Sequence, residues 1–318
     1  MGIKYLNRFL QENCKEAIKK ISLNELSGKK IVIDASIYMY RYLTDNVLLE
    51  NIYLMIGILR KYNIVALFVF DGKPPKEKED LLKERKRNKK IAEEKYKDLQ
   101  NKLDNKKLEE NEKEQIKEDM NQLKKQFIRL HHTDIENVKI LIQSLGVSYI
   151  DAPGEADKLC AKMVNKGLAY ACLSEDMDMF VYGCKRVLRY LSLLNKTVII
   201  YEMKQILIEL DINFNDFKTI CVISGTDYNI NNNNDLLKTL KYFKKYKKSK
   251  QKSNNFLQWL EYNTEYIKIE EVQDILKLFN LNDVPELKNC LKTKIINSDV
   301  NISNLKKIME KEDFIFVY

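Results

Sequence analysis

The chain has 318 residues, 45% of them hydrophobic and 32% charged, with 55 Lys plus Arg against 46 Asp plus Glu and a net charge of +9. Its length and apolar content exclude wholesale disorder, and no apolar run approaches the ~18 residues of a membrane helix, so a soluble protein without a signal peptide is expected. The basic excess favours a polyanionic partner, nucleic acid first, and six scattered cysteines without CxxC spacing exclude a zinc knuckle or a disulfide framework and fit a reducing, intracellular compartment.

Residues 29–34 (Lys-Lys-Ile-Val-Ile-Asp) read as a buried strand ending in an acid, Asp34, followed by a helical stretch through Tyr42. After a helical segment over 50–62, residues 64–71 repeat the pattern and end in Asp71. Runs that are apolar at every position, separated by helices, predict a mainly parallel sheet covered on both faces, an α/β fold.

Residues 76–130 differ: more than half are charged and Gly and Pro are absent after Pro75. Helices that are polar all round have no core to bury and project into solvent or meet a charged partner. Lys83 to Lys90 is nearly all basic, and apolar periodicity resumes at Phe127 to give a core-facing helix through Leu145. His131 and His132 are adjacent, not one helical turn apart, which argues against a paired metal role.

Pro153-Gly154-Glu155-Ala156-Asp157 opens a helix, with proline suited to its first turn and the two acids to its dipole. A strand over 168–173 leads into Ser174-Glu175-Asp176-Met177-Asp178, and another short strand is expected at 187–191. Asp227 follows an apolar stretch and a Ser-Gly-Thr turn. Beyond it the composition shifts: Asn229 to Asn234 is almost pure Asn, 238–252 carries eight lysines interleaved with Tyr242, Phe243 and Tyr246, and 255–318 reads as mainly helical with a β-prone end, Phe314 to Tyr318.

In open α/β sheets ligands collect beyond the carboxyl ends of the strands. Asp34, Asp71, Asp176 and Asp178 stand at such ends, Glu155 and Asp157 at a helix start, and Asp227 after a turn, so one site of seven carboxylates is expected. Crowded carboxylates repel one another unless cations neutralise them. Hard divalent ions suit oxygen ligands, magnesium by default, and two ions roughly 3.5–4 Å apart would activate a water, orient a phosphate and stabilise the leaving oxygen. Singly, each acid also has a plain reading: a helix cap, a dipole partner or a solvated loop residue. Their joint placement favours the shared site.

These residues form a series of motifs: Gly2; Asp34-Ala35-Ser36 with Tyr40; Phe70-Asp71-Gly72-Lys73-Pro74-Pro75; Ala152-Pro153-Gly154-Glu155-Ala156-Asp157; Ser174-Glu175-Asp176-Met177-Asp178; and Gly225-Thr226-Asp227-Tyr228. In this order the series resembles the flap endonucleases of the XPG-like 5′ nuclease superfamily, over residues 1 to about 228. The resemblance implies a PIN-like nuclease core over 1–228, with 76–130 as an inserted helical arch, and a mainly helical DNA-binding region over 229–318. It implies a phosphodiesterase that cuts branched or nicked DNA bearing a 5′ single strand, as an endonuclease and 5′–3′ exonuclease, in replication, repair or recombination. The seven acids become ligands of two Mg2+ ions, which Mn2+ can replace. Lys78 and Arg85 face the scissile phosphate, Lys125 and Arg129 guide the 5′ strand, and Tyr40 stacks on a base.

The departures matter too. The family's potassium-binding hairpin is Gly-rich, whereas Asn229 to Asp235 has no glycine, so K+ is not assigned. Lys244, Lys245, Lys247 and Lys248 are candidates for gripping the duplex instead. The segment between Thr44 and Ile64 leaves little room for a wedge, no sliding-clamp box ends the chain, and a monomer with no membrane partner is expected. Within the superfamily the alternatives are a Holliday-junction resolvase, a mismatch-repair-type exonuclease or an RNA-directed nuclease; outside it, a catalytically inactive DNA-binding scaffold. Localisation is left open between nucleus and cytoplasm.

Overall fold

Asp34 and Asp71 come side by side because the two buried strands that precede them pair in parallel. Strand β2 (Lys30–Asp34) lies against β3 (Val65–Phe70) with Asp34 opposite Val69. The computed structural model describes residues 3–103, 110–229, 234–249, 255–282, 287–310 and 314. Seven strands form one sheet. The others are β1 (Ile18–Ser22), β4 (Ser148–Asp151), β5 (Ala171–Leu173), β6 (Arg186–Ser192) and β7 (Thr197–Glu202), in the order β1-β7-β6-β5-β2-β3-β4. From β6 through β4 every pairing is parallel; β7 pairs antiparallel with β6 and β1. The parallel centre agrees with the expectation from continuous apolar runs, and the antiparallel edge adds to it. Strands β1, β4 and β7 were not among the expected strands, although β7 carries the apolar run Val198 to Tyr201. Ile18-Lys19-Lys20-Ile21-Ser22 shows two exposed lysines, as suits an edge.

The sheet carries a core on each face. One holds α2 (Ala35–Thr44), α3 (Leu48–Lys61), α6 (His132–Ser144) and α14 (Ile302–Met309) against side chains such as Ile33, Phe68 and Phe70. The other holds α1 (Leu6–Asn13), α7 (Ala156–Asn165), α8 (Asp178–Val181) and α10 (Phe214–Ile223) against Val32, Leu67 and Val69. Helix α9 (Met203–Glu209) joins this second core through Met203 and Ile206. So do α11 (Leu236–Lys248), α12 (Phe256–Asn263) and α13 (Ile269–Leu278), through Phe243, Phe256, Trp259 and Ile275. The C-terminal helices therefore share a core with the sheet. The lysine-rich segment is a helix up to Lys248, with Leu236, Thr239 and Phe243 inward.

The charged region forms two long helices, α4 (Glu79–Leu103) and α5 (Glu110–Phe127), packed on each other. Leu81 and Ala92 are the buried residues of α4, and α5 has none among its described residues. Tyr96 meets Phe127 edge-on at 5.4 Å, and Lys89 Nζ donates to the Ile128 carbonyl at 2.9 Å. The expected helix from Phe127 to Leu145 starts later: α5 stops at Phe127, 128–131 are not helical, and α6 starts at His132, where His131 and Asp134 form a capping box.

Residues 294–298 run along the β4 edge. Ser148 Oγ donates to the Ile296 carbonyl at 3.2 Å, and Val147 bridges Asn297. Gly146 is required there, since a Cβ would stand 2.2 Å from the Ser298 carbonyl oxygen. Of the expected β-prone end, Phe314 packs on Tyr53 at 5.5 Å, and Ile315 to Tyr318 lie outside the described residues.

Candidate active site

All seven acids gather at the carboxyl rim of β2, β3 and β5. Asp34 ends β2 and precedes α2. Asp71 follows β3, and its position is set by a close backbone crossing. Gly72 N donates to the Gly154 carbonyl at 2.7 Å, and a Cβ on Gly72 would sit 2.0 Å from the Ala152 oxygen. That crossing lets Asp71 Oδ1 accept from Ala156 N at 2.8 Å, so Asp71 caps the start of α7. Glu155, the residue before α7, makes no such bond and stays free to face the rim. Helix α7 begins at Ala156, so Pro153 lies ahead of the helix and not in its first turn. Asp157 lies in that first turn, Asp178 opens α8, and Asp227 follows α10.

Burial and mutual repulsion mark the group. Asp34, Asp157, Asp176 and Asp178 are 5%, 8%, 9% and 1% exposed. Burial first, then the charges of Asp71 and Asp176, push the Asp34 carboxyl up to about 8. Burial, then Asp176, Asp34 and Glu155, raise Asp157; burial, then Asp176 and Asp227, raise Asp178. Ser174 connects two of the acids: its Oγ donates to Asp34 Oδ2 at 3.1 Å and accepts from Asp176 N at 3.2 Å. Asp178 N donates to Asp176 Oδ1 at 3.0 Å, while Asp178 Oδ1 is buried without a hydrogen-bond partner.

Two basic residues from the charged region answer this negative charge. Lys78 sits in a short 3-10 turn (Lys76–Lys78) ahead of α4, and Arg85 lies within α4. Lys78 Nζ donates to Glu155 Oε1 at 2.5 Å and lies 3.7 Å from Asp227 Oδ2, to which Arg85 Nη2 donates at 2.8 Å. Burial alone would lower Lys78, but Glu155 and Asp157 outweigh it and hold the ammonium above the ordinary lysine range. Among the described residues no three His, Cys, Asp or Glu side chains are disposed to hold an ion as they stand. Lys78 and Arg85 occupy the carboxylates that would have to turn toward one.

Tyr40 is 43% exposed beside this rim, with Lys89 Nζ 5.3 Å from its ring and Asp71 and Arg85 both acting on its phenol. Arg129 pairs with Glu93 at 3.1 Å on the α4–α5 pair, and Lys125 is exposed there, so neither reaches the acids. Lys244, Lys245, Lys247 and Lys248 are exposed on α11, with Lys247 tied to Asp211 at 2.9 Å. Gly2 and the segment Ile230 to Asn233 lie outside the described residues.

Several contacts of the site carried no sequence signal of their own. Arg189 Nη2 donates to the Glu175 carbonyl at 2.9 Å, and Glu175 Oε1 accepts from Tyr190 N at 2.8 Å, anchoring the loop that carries Asp176 and Asp178. Tyr228 OH donates to Glu155 Oε2 at 2.6 Å, 73 residues away. Only the fold brings such pairs together. A cavity of about 910 Å3 between β7, α9 and α10 is lined by none of the seven acids; the acids occupy the rim, not a deep pocket.

Comparison with known proteins adds independent findings. Residues 1–92 match the family model of the XPG N-terminal domain and residues 146–227 that of the XPG I-region, together more than half of the chain. The chain is 31% identical over 314 residues to flap endonuclease 1 of Methanococcus aeolicus, covering 93% of this chain and 88% of that protein. The solved structure of flap endonuclease-1 from Methanococcus jannaschii superposes with a TM-score of 0.63 at 22% identity, covering 98% of this chain and 94% of that one. The Holliday junction-resolving enzyme GEN1, solved with product DNA and a Mg2+ ion, superposes with a TM-score of 0.64 at 17% identity, covering 98% and 73%.

Proposed function

The chain belongs to the XPG-like flap endonucleases, a family of structure-specific nucleases, and we propose that it hydrolyses phosphodiesters of branched DNA beside a 5′ single strand, using Mg2+ at the seven-acid rim. The observation that carries this reading is the convergence of Lys78 and Arg85, from the charged insert, on Glu155 and Asp227 of the rim. Two cations placed among carboxylates are the groups that a phosphate would take over, an arginine through two parallel hydrogen bonds.

The donor set supports a hard divalent ion. It is oxygen throughout, Asp178 Oδ1 is buried and unpaired, and burial and repulsion raise Asp34, Asp157 and Asp178 in a way that a cation would relieve. Asp34, Asp71, Glu155, Asp157, Asp176, Asp178 and Asp227 would hold two such ions, Mg2+ or Mn2+, directly or through water. When bound, these ions lower the pKa of a water and take up charge on the leaving oxygen.

The chain's own residues do the rest. Lys78 stays charged in a buried position and, with Arg85, orients the phosphate. Tyr40 presents an exposed ring on which any base can stack. Lys125 on α5, Arg129 just beyond it, and Lys244, Lys245, Lys247 and Lys248 on α11 bind phosphates without reading sequence. The biological setting proposed is DNA replication, repair or recombination.

The test is cleavage of matched 5′-flap, nicked, gapped, four-way-junction and single-stranded RNA substrates, in Mg2+ and in EDTA. Mg2+-dependent cutting at the base of the 5′ flap is expected to dominate. Paired symmetrical cuts in the four-way junction, faster than flap cutting, would make the protein a resolvase instead. Binding without any metal-dependent cutting would make it a scaffold.

A further inference from the structure

Glu155 is held at both oxygens. Lys78 takes Oε1, and the hydroxyl of Tyr228 donates to Oε2 at 2.6 Å. Tyr228 also meets the other partner of that ion pair, since Lys78 Nζ lies 4.8 Å from the centre of its ring. One aromatic side chain thus grips an ammonium with its face and the paired carboxylate with its hydroxyl.

Tyr228 is itself fixed from two sides. Its ring meets Phe279 edge-on at 5.3 Å, and Phe279, 2% exposed at the end of α13, packs on Tyr182 at 4.9 Å. Its backbone belongs to a turn stapled to α10. Tyr228 N donates to Thr226 Oγ1 at 3.3 Å, Thr226 N and Oγ1 donate to Asn229 Oδ1 at 2.6 and 2.8 Å, and Asn229 Nδ2 donates to the Val222 carbonyl at 2.7 Å. A tyrosine that only filled space against Phe279 would need no hydroxyl. This hydroxyl reaches a partly buried carboxylate at a short, charge-assisted distance.

Resting on the site proposed above, we infer that Tyr228 is a positioning residue, whose hydroxyl keeps Glu155 aimed at the rim when Lys78 leaves it for a phosphate. Without that hydroxyl Glu155 would depend on Lys78 alone, the group drawn off when substrate arrives. Phe279 extends the support to the C-terminal helices, so the acid ahead of α7 is backed, through Tyr228, by a residue more than a hundred positions later in the chain.

Tyr228→Phe separates the readings, because it keeps the ring, its contact with Phe279 and its face toward Lys78 and removes only the hydroxyl. Mg2+ binding to the DNA-free protein, measured by calorimetry, is expected to weaken about 10- to 100-fold, the range for losing one hydrogen bond to a charged group. The Mg2+ concentration for half-maximal cleavage should rise by a similar factor, well beyond any change in KM for DNA. In a Glu155→Gln background the same substitution should cost no further Mg2+ affinity. A crystal structure of metal-free Tyr228→Phe should show the Glu155 carboxylate turned from its present position. An unmoved Glu155, or an equal loss of affinity with and without the Glu155 carboxylate, overturns the inference. Wild-type protein that binds no Mg2+ overturns the proposed metal site instead, while the position of Glu155 in the variant still decides the role of Tyr228.

Discussion

Arg85 Nη2 lies 2.8 Å from Asp227 Oδ2 across 142 residues of sequence, tying the long helix of the charged insert to the last acid of the rim. The Arg85 side chain is 41% exposed, so solvent screens the pair and its contribution to stability is at most about 1 kcal/mol. Arg85→Ala is therefore expected to leave the melting temperature nearly unchanged and to slow single-turnover cleavage on the order of 10²-fold, the scale for losing one fixed charge on a transition state. A parallel loss of stability and rate would reduce Arg85 to a structural clamp.

Asp178 gives the opposite pairing of effects. Its carboxylate is 1% exposed and one oxygen has no partner, so in the metal-free protein it is a buried charge at a cost to the fold. Asp178→Asn should abolish cleavage, leave DNA affinity largely intact and raise the melting temperature measured in EDTA. The combination of thermal melts and gel-shift titrations checks all three, and a lowered melting temperature in EDTA would contradict the account of the rim as strained by its own charge.

The metal-free protein should lose stability as pH rises. The Asp34 carboxyl is pushed up to about 8 in the fold, by burial and then by Asp71 and Asp176, against about 3.9 in an unfolded chain. Between those values the unfolded chain has released a proton that the native state still holds, so the native state is favoured below about pH 4 and progressively less so toward pH 8. Melting curves in EDTA should fall across that window, Mg2+ should recover most at the upper end, and Asp34→Asn should flatten the slope. A flat wild-type curve would sink the prediction.

Two glycines in neighbouring motifs should behave differently. A Cβ on Gly72 would lie 2.0 Å from the Ala152 oxygen, and only backbone movement relieves that overlap; on Gly154 the nearest atom is 3.9 Å away. Gly72→Ala is expected to destabilise by roughly 1–3 kcal/mol or more and to part Asp71 from Ala156 N. Gly154→Ala should stay within about 0.5 kcal/mol. Denaturant melts of both variants decide it, and equal losses would refute the crossing as the reason for Gly72.

What could be read from the sequence divides along a physical line. Strands β2, β3 and β5 were legible because a sheet covered on both faces needs apolar residues at every position, and Asp34, Asp71, Asp176 and Asp178 because they follow those strands, while Glu155, Asp157 and Asp227 were marked by a helix start and a turn. The edge strands β1 and β4 were not, since a strand half in solvent resembles a loop, and β7, paired between β1 and β6, was missed although Val198 to Tyr201 is apolar throughout. Lys78 and Arg85 were expected on one helix face toward a phosphate; Lys78 sits instead in a 3-10 turn ahead of the helix that carries Arg85. The break after Phe127 escaped because apolar spacing continues across it. The Tyr228–Glu155 and Arg189–Glu175 contacts escaped because nothing local marks a partner that only the fold supplies.

The segment 294–298 along β4, with α14 behind it, has a consequence for how the protein is made. Gly146 and Ser298 must meet across half the chain, and Ser298 N donates to the Gly146 carbonyl at 2.7 Å. During synthesis every acid of the rim emerges well before that segment does. The sheet's outer edge stays open and one of its two cores stays short of Leu305, Ile308 and Met309 until residues 294–309 have left the ribosome. A growing chain thus carries all its carboxylates before the scaffold that aligns them can close.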